Sequence, residues 1–104
     1  DASAMTRALD AVDFVIEPSL GPSPSRTDII TALEAFQRRI APGSLAVFYF
    51  SGHGVERDGV NYLVPATAEK AAPGDEDYVY VSLDFVIETL EVSPAAIVVI
   101  VLDA

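Results

Sequence analysis

The chain has 104 residues, with a single histidine and no cysteine, and its formal net charge is −10. A chain of this length is one domain or part of one, and so acidic a surface repels phosphate backbones and anionic membranes. We therefore expect no nucleic-acid and no membrane partner, and the lack of cysteine excludes disulfides, cysteine-ligated metals and a thiol nucleophile within this sequence.

The first segment predicts a short helix followed by a short strand. Apolar residues recur there at the spacing of one helical face: Met5, Ala8, Leu9 and Val12. The strand is predicted over residues 14–17 and ends at Pro18. The prolines and the glycine that follow, in residues 18–25, are typical of a loop.

A second helix is predicted after this loop, with either Ser25 or Thr27 as its N-cap and Asp28 in its first turn. Its apolar residues form one stripe: Ile29, Leu33, Phe36 and Ile40. Arg38 and Arg39 stand near its C-terminal end, where the helix dipole favours positive charge. The segment Ala-Pro-Gly that follows ends the helix.

The middle of the chain predicts a buried strand and an excursion from it. Residues 45–50, LAVFYF, are apolar at every position, which is typical of a central strand that is buried on both faces. Residues 55–66 then predict an excursion that returns as a short strand to Pro65, and residues 68–78 predict a polar, flexible loop.

The last helix is predicted to start at Ser82, with Leu83, Val86, Ile87 and Leu90 on one face. Residues 96–104, AIVVIVLDA, predict a second strand that is fully buried. Alternation of apolar strands with helices indicates an α/β fold, in which a sheet of mainly parallel strands is flanked by helices.

Polar residues end both buried strands. Ser51-Gly52-His53-Gly54 follows the first, and Asp103 lies at the end of the second. The carboxyl ends of parallel strands are where ligands and catalytic groups gather. If the two strands are neighbours, His53 and Asp103 lie on the same edge of the sheet.

Three short segments together resemble the caspase-like cysteine peptidases: FYFSGHG at 48–54, NYLVPA at 61–66 and VLDA at 101–104. The resemblance is greatest to the metacaspase, paracaspase and bacterial orthocaspase branches. Such peptidases are marked by His-Gly after one strand and Ala-Cys after the next, about 50 residues later. The resemblance implies that residues 1–104 are a single partial catalytic domain. The family's first strand would lie before Asp1, and the nucleophilic cysteine directly after Ala104.

The resemblance also assigns roles to three residues. His53 would be the general acid/base, the alternative being an ordinary turn residue. Gly54 would offer its backbone N–H to the oxyanion, although turn geometry alone also explains a glycine there, as it does for Gly52. Asp103 would line the pocket for an Arg or Lys on the amino side of the scissile bond (P1), the alternative being a cap at the strand end.

The function expected from this resemblance is that of a cysteine endopeptidase which cleaves after Arg or Lys. Its partners would be a polypeptide substrate with a basic P1 residue and the remainder of its own catalytic domain. The chain alone would be inactive because it has no cysteine. A catalytically inactive caspase-like interaction module is the alternative. A flavodoxin-like ligand-binding domain has no support, since no glycine-rich phosphate loop follows a strand.

Four acidic residues raise the question of calcium, which prefers carboxylate oxygens: Asp75, Glu76, Asp77 and Asp84. We interpret them as a solvated loop and expect no cofactor, with calcium as the alternative. The sequence has neither a signal-peptide pattern nor a stretch long enough to span a bilayer, and we expect a cytoplasmic location.

Overall fold

The computed structural model describes residues 25–103. The helix predicted over residues 5–12 and the strand predicted over residues 14–17 lie outside this range. Within it, the chain runs in the order α1 (Arg26–Arg39), β1 (Leu45–Ser51), β2 (His53–Arg57), β3 (Val60–Val64), α2 (Glu76–Val79), β4 (Val81–Ser82), α3 (Leu83–Glu91) and β5 (Ile97–Asp103).

Two of these helices begin at the caps that the sequence predicts. Ser25, rather than Thr27, caps α1: its hydroxyl accepts the backbone N–H of Asp28 at 3.1 Å, and the Asp28 carboxylate accepts the backbone N–H of Ser25 at 3.0 Å. This reciprocal pair satisfies two donors that a helix start leaves open. Ser82 caps α3 by accepting the N–H of Phe85 at 3.1 Å.

The strands form two sheets of different kinds. In the first, β1 pairs in parallel with β5, in a register that runs from Leu45 opposite Ile97 to Ser51 opposite Asp103. In the second, β2, β3 and β4 pair in that order, antiparallel throughout. The α/β class, with parallel strands flanked by helices, is confirmed, and the antiparallel sheet is built from the excursion predicted after β1.

The β2–β3 hairpin closes through a two-residue turn. Asp58 has φ 52° and Gly59 has φ 81°, so both central residues lie in the left-handed region. An Asp-Gly pair adopts such a turn readily, and its twist matches that of the flanking strands. The turn thereby sets the register in which Glu56 faces Asn61.

The main core lies between the two long helices and the sheets. Its buried members are Ile29, Leu33, Ile40, Ala46, Leu63, Val81, Val86 and Leu90. A second, smaller cluster consists of Tyr62, Ala71 and Tyr80. No helix within residues 25–103 combines the length and the apolar character needed to cross a membrane.

The burial predicted for β1 and β5 is wrong. In β5, Val98 and Ile100 pack against the main core, whereas Ile97 is 61% exposed and Val99 38% exposed. In β1, Ala46 is buried but Leu45 is 47% exposed. Alternate side chains of a strand point to opposite faces, and residues 25–103 cover only one face of β5.

The prediction of a flexible loop over residues 68–78 is wrong in part. The one-turn helix α2 begins within it, and Ala71 is only 3% exposed. The backbone N–H of Ala71 donates to the hydroxyl of Tyr80 at 2.9 Å. This segment is polar in composition, yet the hydrogen bond between Ala71 and Tyr80 binds it to the second cluster.

Candidate active site

The first sheet ends where the second begins, and His53 stands at that junction. Ser51 is the last residue of β1 and faces Asp103. The backbone N–H of Gly52 donates to the carbonyl oxygen of Asp103 at 3.1 Å, which extends the pairing by one residue. His53 then opens β2 opposite Val64 and is exposed. It belongs to a strand, not to the turn that the sequence predicted.

Gly52 is explained by space rather than by backbone conformation. It is not one of the described glycines with positive φ. A Cβ atom at this position would lie 3.0 Å from Cζ of the Phe50 ring, which is tighter than most such contacts. The missing side chain therefore lets the Phe50 ring fold under the chain just before His53.

Asp103 is the last residue of β5 and lies opposite Ser51, two residues before His53. It is exposed, and one carboxylate oxygen, Oδ2, accepts the hydroxyl of Tyr49 at 3.4 Å. The strand predicted over residues 96–104 was expected to be fully buried, and this is wrong at its end, because Leu102 and Asp103 are exposed. The contact with Tyr49 was missed, although the parallel register places Tyr49 only two residues before the partner of Asp103.

An open cleft of about 520 Å³ runs along β2 from this junction. His53 and Gly54 line one end, and Glu56 and Asn61 line the other. Its remaining walls are mainly apolar and come from Val55, Tyr62, Leu63, Leu83 and Leu102. The sequence predicted His53 and Gly54 but not the other lining residues, which the hairpin and α3 bring together from distant positions.

Arg57 fastens the far end of β2 to the segment before β4. Its Nη1 donates to the carbonyl oxygen of Ala71 at 2.7 Å and contacts Oε1 of Glu76 at 3.4 Å. Its guanidinium also lies 5.5 Å from the centre of the Tyr80 ring, within range of a cation–π interaction. These contacts hold the hairpin that carries His53 at its start.

Two groups in this region have displaced pKa values. Burial raises the pKa of the Tyr62 phenol, and the negative charges of Asp77, Glu76 and Asp58 raise it further. Hydrogen bonds, first from its own backbone N–H and then from Arg57, lower the pKa of the Glu76 carboxyl, although burial opposes them. At neutral pH the Tyr62 phenol is therefore neutral, and Arg57 faces an ionised Glu76 carboxylate.

The acidic residues considered for calcium do not gather around one point in the described part of the chain. Within residues 25–103, no group of three or more His, Cys, Asp and Glu side chains is arranged to hold a metal ion. Glu76 contacts Arg57 instead, and Asp84 lies in the first turn of α3.

The family model of the caspase domain matches residues 1–104. The chain belongs to the caspase domain family. This family consists of cysteine peptidases, so the substrates expected at this level are polypeptides. No match is found among curated proteins. Within the family fold, the cleft beside His53 is the candidate active site.

Proposed function

We propose that residues 1–104 carry the general acid/base of a cysteine endopeptidase of the metacaspase, paracaspase or orthocaspase type. The nucleophilic cysteine is expected directly after Ala104, in the parent protein. The observation that carries the proposal is that β1 and β5 end side by side at Ser51 and Asp103, two residues before His53, which lines a cleft. A single partial domain of this kind needs the remainder of its own catalytic domain for activity.

The chemistry assigned to each residue follows from peptide cleavage. The His53 imidazole takes the proton of the cysteine thiol and passes it to the leaving amine. The carbonyl oxygen gains negative charge as the thiolate attacks, and the backbone N–H groups of Gly54 and of the cysteine stabilise it. A nucleophile directly after Ala104 would continue the strand that ends beside Ser51 and Gly52.

Asp103 is proposed to select Arg or Lys at P1. A carboxylate accepts two parallel hydrogen bonds from a guanidinium, and it attracts an ammonium. The Tyr49 hydroxyl contacts one of its oxygens, Oδ2, and within residues 25–103 no side chain binds the other, which we assign to the substrate. Because Asp103 is exposed, the attraction is screened by solvent, and we expect selectivity to come mainly from rejection of acidic P1 residues.

The decisive experiment compares His53→Ala with the parent protein in turnover of an Arg reporter peptide. Turnover should fall by at least about 100-fold if His53 is the general acid/base, while circular dichroism stays unchanged. Thr31→Ala, an exposed position on α1, serves as the control and should retain turnover. Full activity of His53→Ala, or loss of the fold together with activity, would overturn the assignment.

The alternative is a catalytically inactive caspase-like module, and the residue after Ala104 distinguishes the two. The zero cysteine count already predicts that the 104-residue chain alone does not hydrolyse peptides. A residue other than cysteine at the next position would favour the inactive module. Cysteine there, with no turnover of any peptide, would favour it as well.

The P1 assignment is tested by a peptide library scan on the parent protein and on Asp103→Asn. Preference for Arg or Lys should weaken in Asp103→Asn and persist in Glu91→Gln, which removes an exposed carboxylate from the end of α3. Preference for Asp at P1 would contradict the assignment. We propose no cofactor, so EDTA should leave turnover unchanged, whereas loss that added calcium restores would favour the calcium alternative.

A further inference from the structure

The cleft has a carboxylate of its own, that of Glu56, whereas Asp103 is not among its lining residues. Gly54 and Glu56 lie two positions apart on β2 and therefore share one face of the strand. On β3, Leu63 faces Gly54 and Asn61 faces Glu56. The cleft wall thus runs from bare backbone at Gly54 to a carboxylate and an amide about 7 Å further along.

Glu56 is free to take a ligand. It is exposed, and its side chain makes no hydrogen bond or ion pair with any residue in the part of the chain that the structure describes. The neighbouring cation, Arg57, points to the opposite face of β2, where Ala71, Glu76 and Tyr80 occupy it. The negative charge of Glu56 is therefore not neutralised by its neighbour on the strand.

The walls of the cleft favour a particular kind of side chain. Leu83 and Leu102 provide accessible apolar surface in the cleft, whereas Leu63, which also lines it, is only 3% exposed. Lysine and arginine combine a long alkyl stem with a charged head. Such a side chain can lay its stem on the leucines and place its charge at Glu56, with the Asn61 amide oxygen as a second acceptor.

We infer that Glu56 and Asn61 form a subsite for a basic side chain within the first three residues after the scissile bond. The inference rests on the proposed function, because it takes His53 as the donor of a proton to the leaving amine. By strand alternation the His53 side chain starts on the face of β2 opposite to Glu56, but His53 is the exposed first residue of the strand and lines the same cleft. We therefore place the peptide that begins with this amine along the cleft, over Gly54 and towards Glu56. The substrate class becomes a polypeptide with basic residues on both sides of the cleaved bond.

The test uses the complete parent protein and two peptide sets with Arg at P1. One set carries Lys in turn at each of the three positions after the scissile bond, and the other carries Ala. We expect kcat/KM to be about 2- to 5-fold higher for one Lys peptide than for its Ala counterpart, the range typical of an exposed ion pair. Glu56→Gln should abolish this ratio, so that the Lys peptide is cleaved no faster than its Ala counterpart.

Glu34→Gln is the matched control, since it removes an exposed carboxylate from α1, away from the cleft. Equal loss of the ratio in Glu34→Gln would assign the preference to overall charge and overturn the inference. Absence of any Lys preference in the parent, with peptides turned over, would also overturn it. Both outcomes leave the proposed function standing.

A binding measurement separates the subsite from catalysis. Fluorescence anisotropy of labelled Lys and Ala peptides with His53→Ala needs no turnover. Tighter binding of the Lys peptide, lost when Glu56→Gln is added, supports the subsite even if the parent protein proves inactive and the proposed function fails. If the parent protein proves inactive and both peptides bind with equal affinity, the inference and the proposed function are both overturned.

Discussion

The parallel sheet and the antiparallel sheet of residues 25–103 are stabilised in different ways. The β1–β5 pair is apolar almost throughout, and its side chains contribute through burial of one face against the main core. The antiparallel sheet has shorter strands and relies on directional contacts, in which Arg57 and Tyr80 both bind the backbone of Ala71. A buried apolar contact adjusts to a change in side-chain shape more easily than a hydrogen bond to a buried group does.

This difference bears on the candidate active site, because His53 belongs to the second sheet and Asp103 to the first. Their relative position depends on the short step through Gly52, whose N–H donates to Asp103. A perturbation of either sheet is therefore expected to reach the site through this step as well as through the main core that both sheets share. Substitutions in the main core and in the antiparallel region can measure how much stability each kind of contact provides.

The largest effect is expected from the main core, which lies against both sheets. Leu90 on α3 has no exposed surface and shares a cluster with Ala46 and Leu63. Leu90→Ala should lower the free energy of unfolding by about 2–5 kcal/mol, because it removes buried methyl groups and leaves a cavity.

Urea unfolding measures this loss, with Val92→Ala as the control. Val92 directly follows the same helix and is 77% exposed. Its truncation should change the free energy of unfolding by less than about 0.5 kcal/mol. Similar losses for both variants would contradict the burial described for α3.

The sequence predicts the local features of this fold well because they depend on neighbouring residues. Ser25 and Ser82 cap the helices as expected, and the strand ends bring His53 and Asp103 to one edge. The burial of β5 was overestimated because a continuous apolar run does not reveal how many neighbours cover a strand. The Asp58-Gly59 turn was a usable signal for the hairpin register and hence for Glu56.

The contacts of Arg57 could not have been predicted in the same way. They join β2 to residues 14 and 19 positions further along the chain, across a loop of polar composition. Whether a carbonyl such as that of Ala71 meets a guanidinium depends on the path of the whole loop. No periodicity or spacing in the sequence encodes that path.

The second largest effect is expected in the antiparallel region, from Tyr80→Phe. Tyr80 is 4% exposed, and its hydroxyl accepts the buried N–H of Ala71. Removing the hydroxyl leaves this N–H without a partner, which should cost about 1–3 kcal/mol. Tyr78→Phe is the control, because Tyr78 is 80% exposed.

Two measurements check this prediction. Urea unfolding gives the loss of stability, which should be near zero for Tyr78→Phe. Amide hydrogen exchange at Ala71 should become faster in Tyr80→Phe and remain unchanged in the control. Unchanged exchange at Ala71 would show that the hydroxyl does not hold the loop.

The smallest effect is expected from the Glu76 carboxylate, which contacts Arg57 at the long distance of 3.4 Å. Its pKa in the folded protein lies below the ordinary value of 4.5, first because its own backbone N–H donates to it and then because Arg57 does. The ionised form therefore stabilises the fold above about pH 4.5, and this contribution is lost as the pH falls through the lowered pKa.

The stability advantage of the parent over Glu76→Gln should be constant near neutral pH and shrink on acidification. In an Arg57→Gln background this pH-dependent part of the stability should decrease but persist, because the hydrogen bond from the Glu76 backbone N–H lowers the pKa more than Arg57 does. Unfolding midpoints measured between pH 3 and pH 7 decide the matter, and an advantage that grows on acidification contradicts the assigned sign.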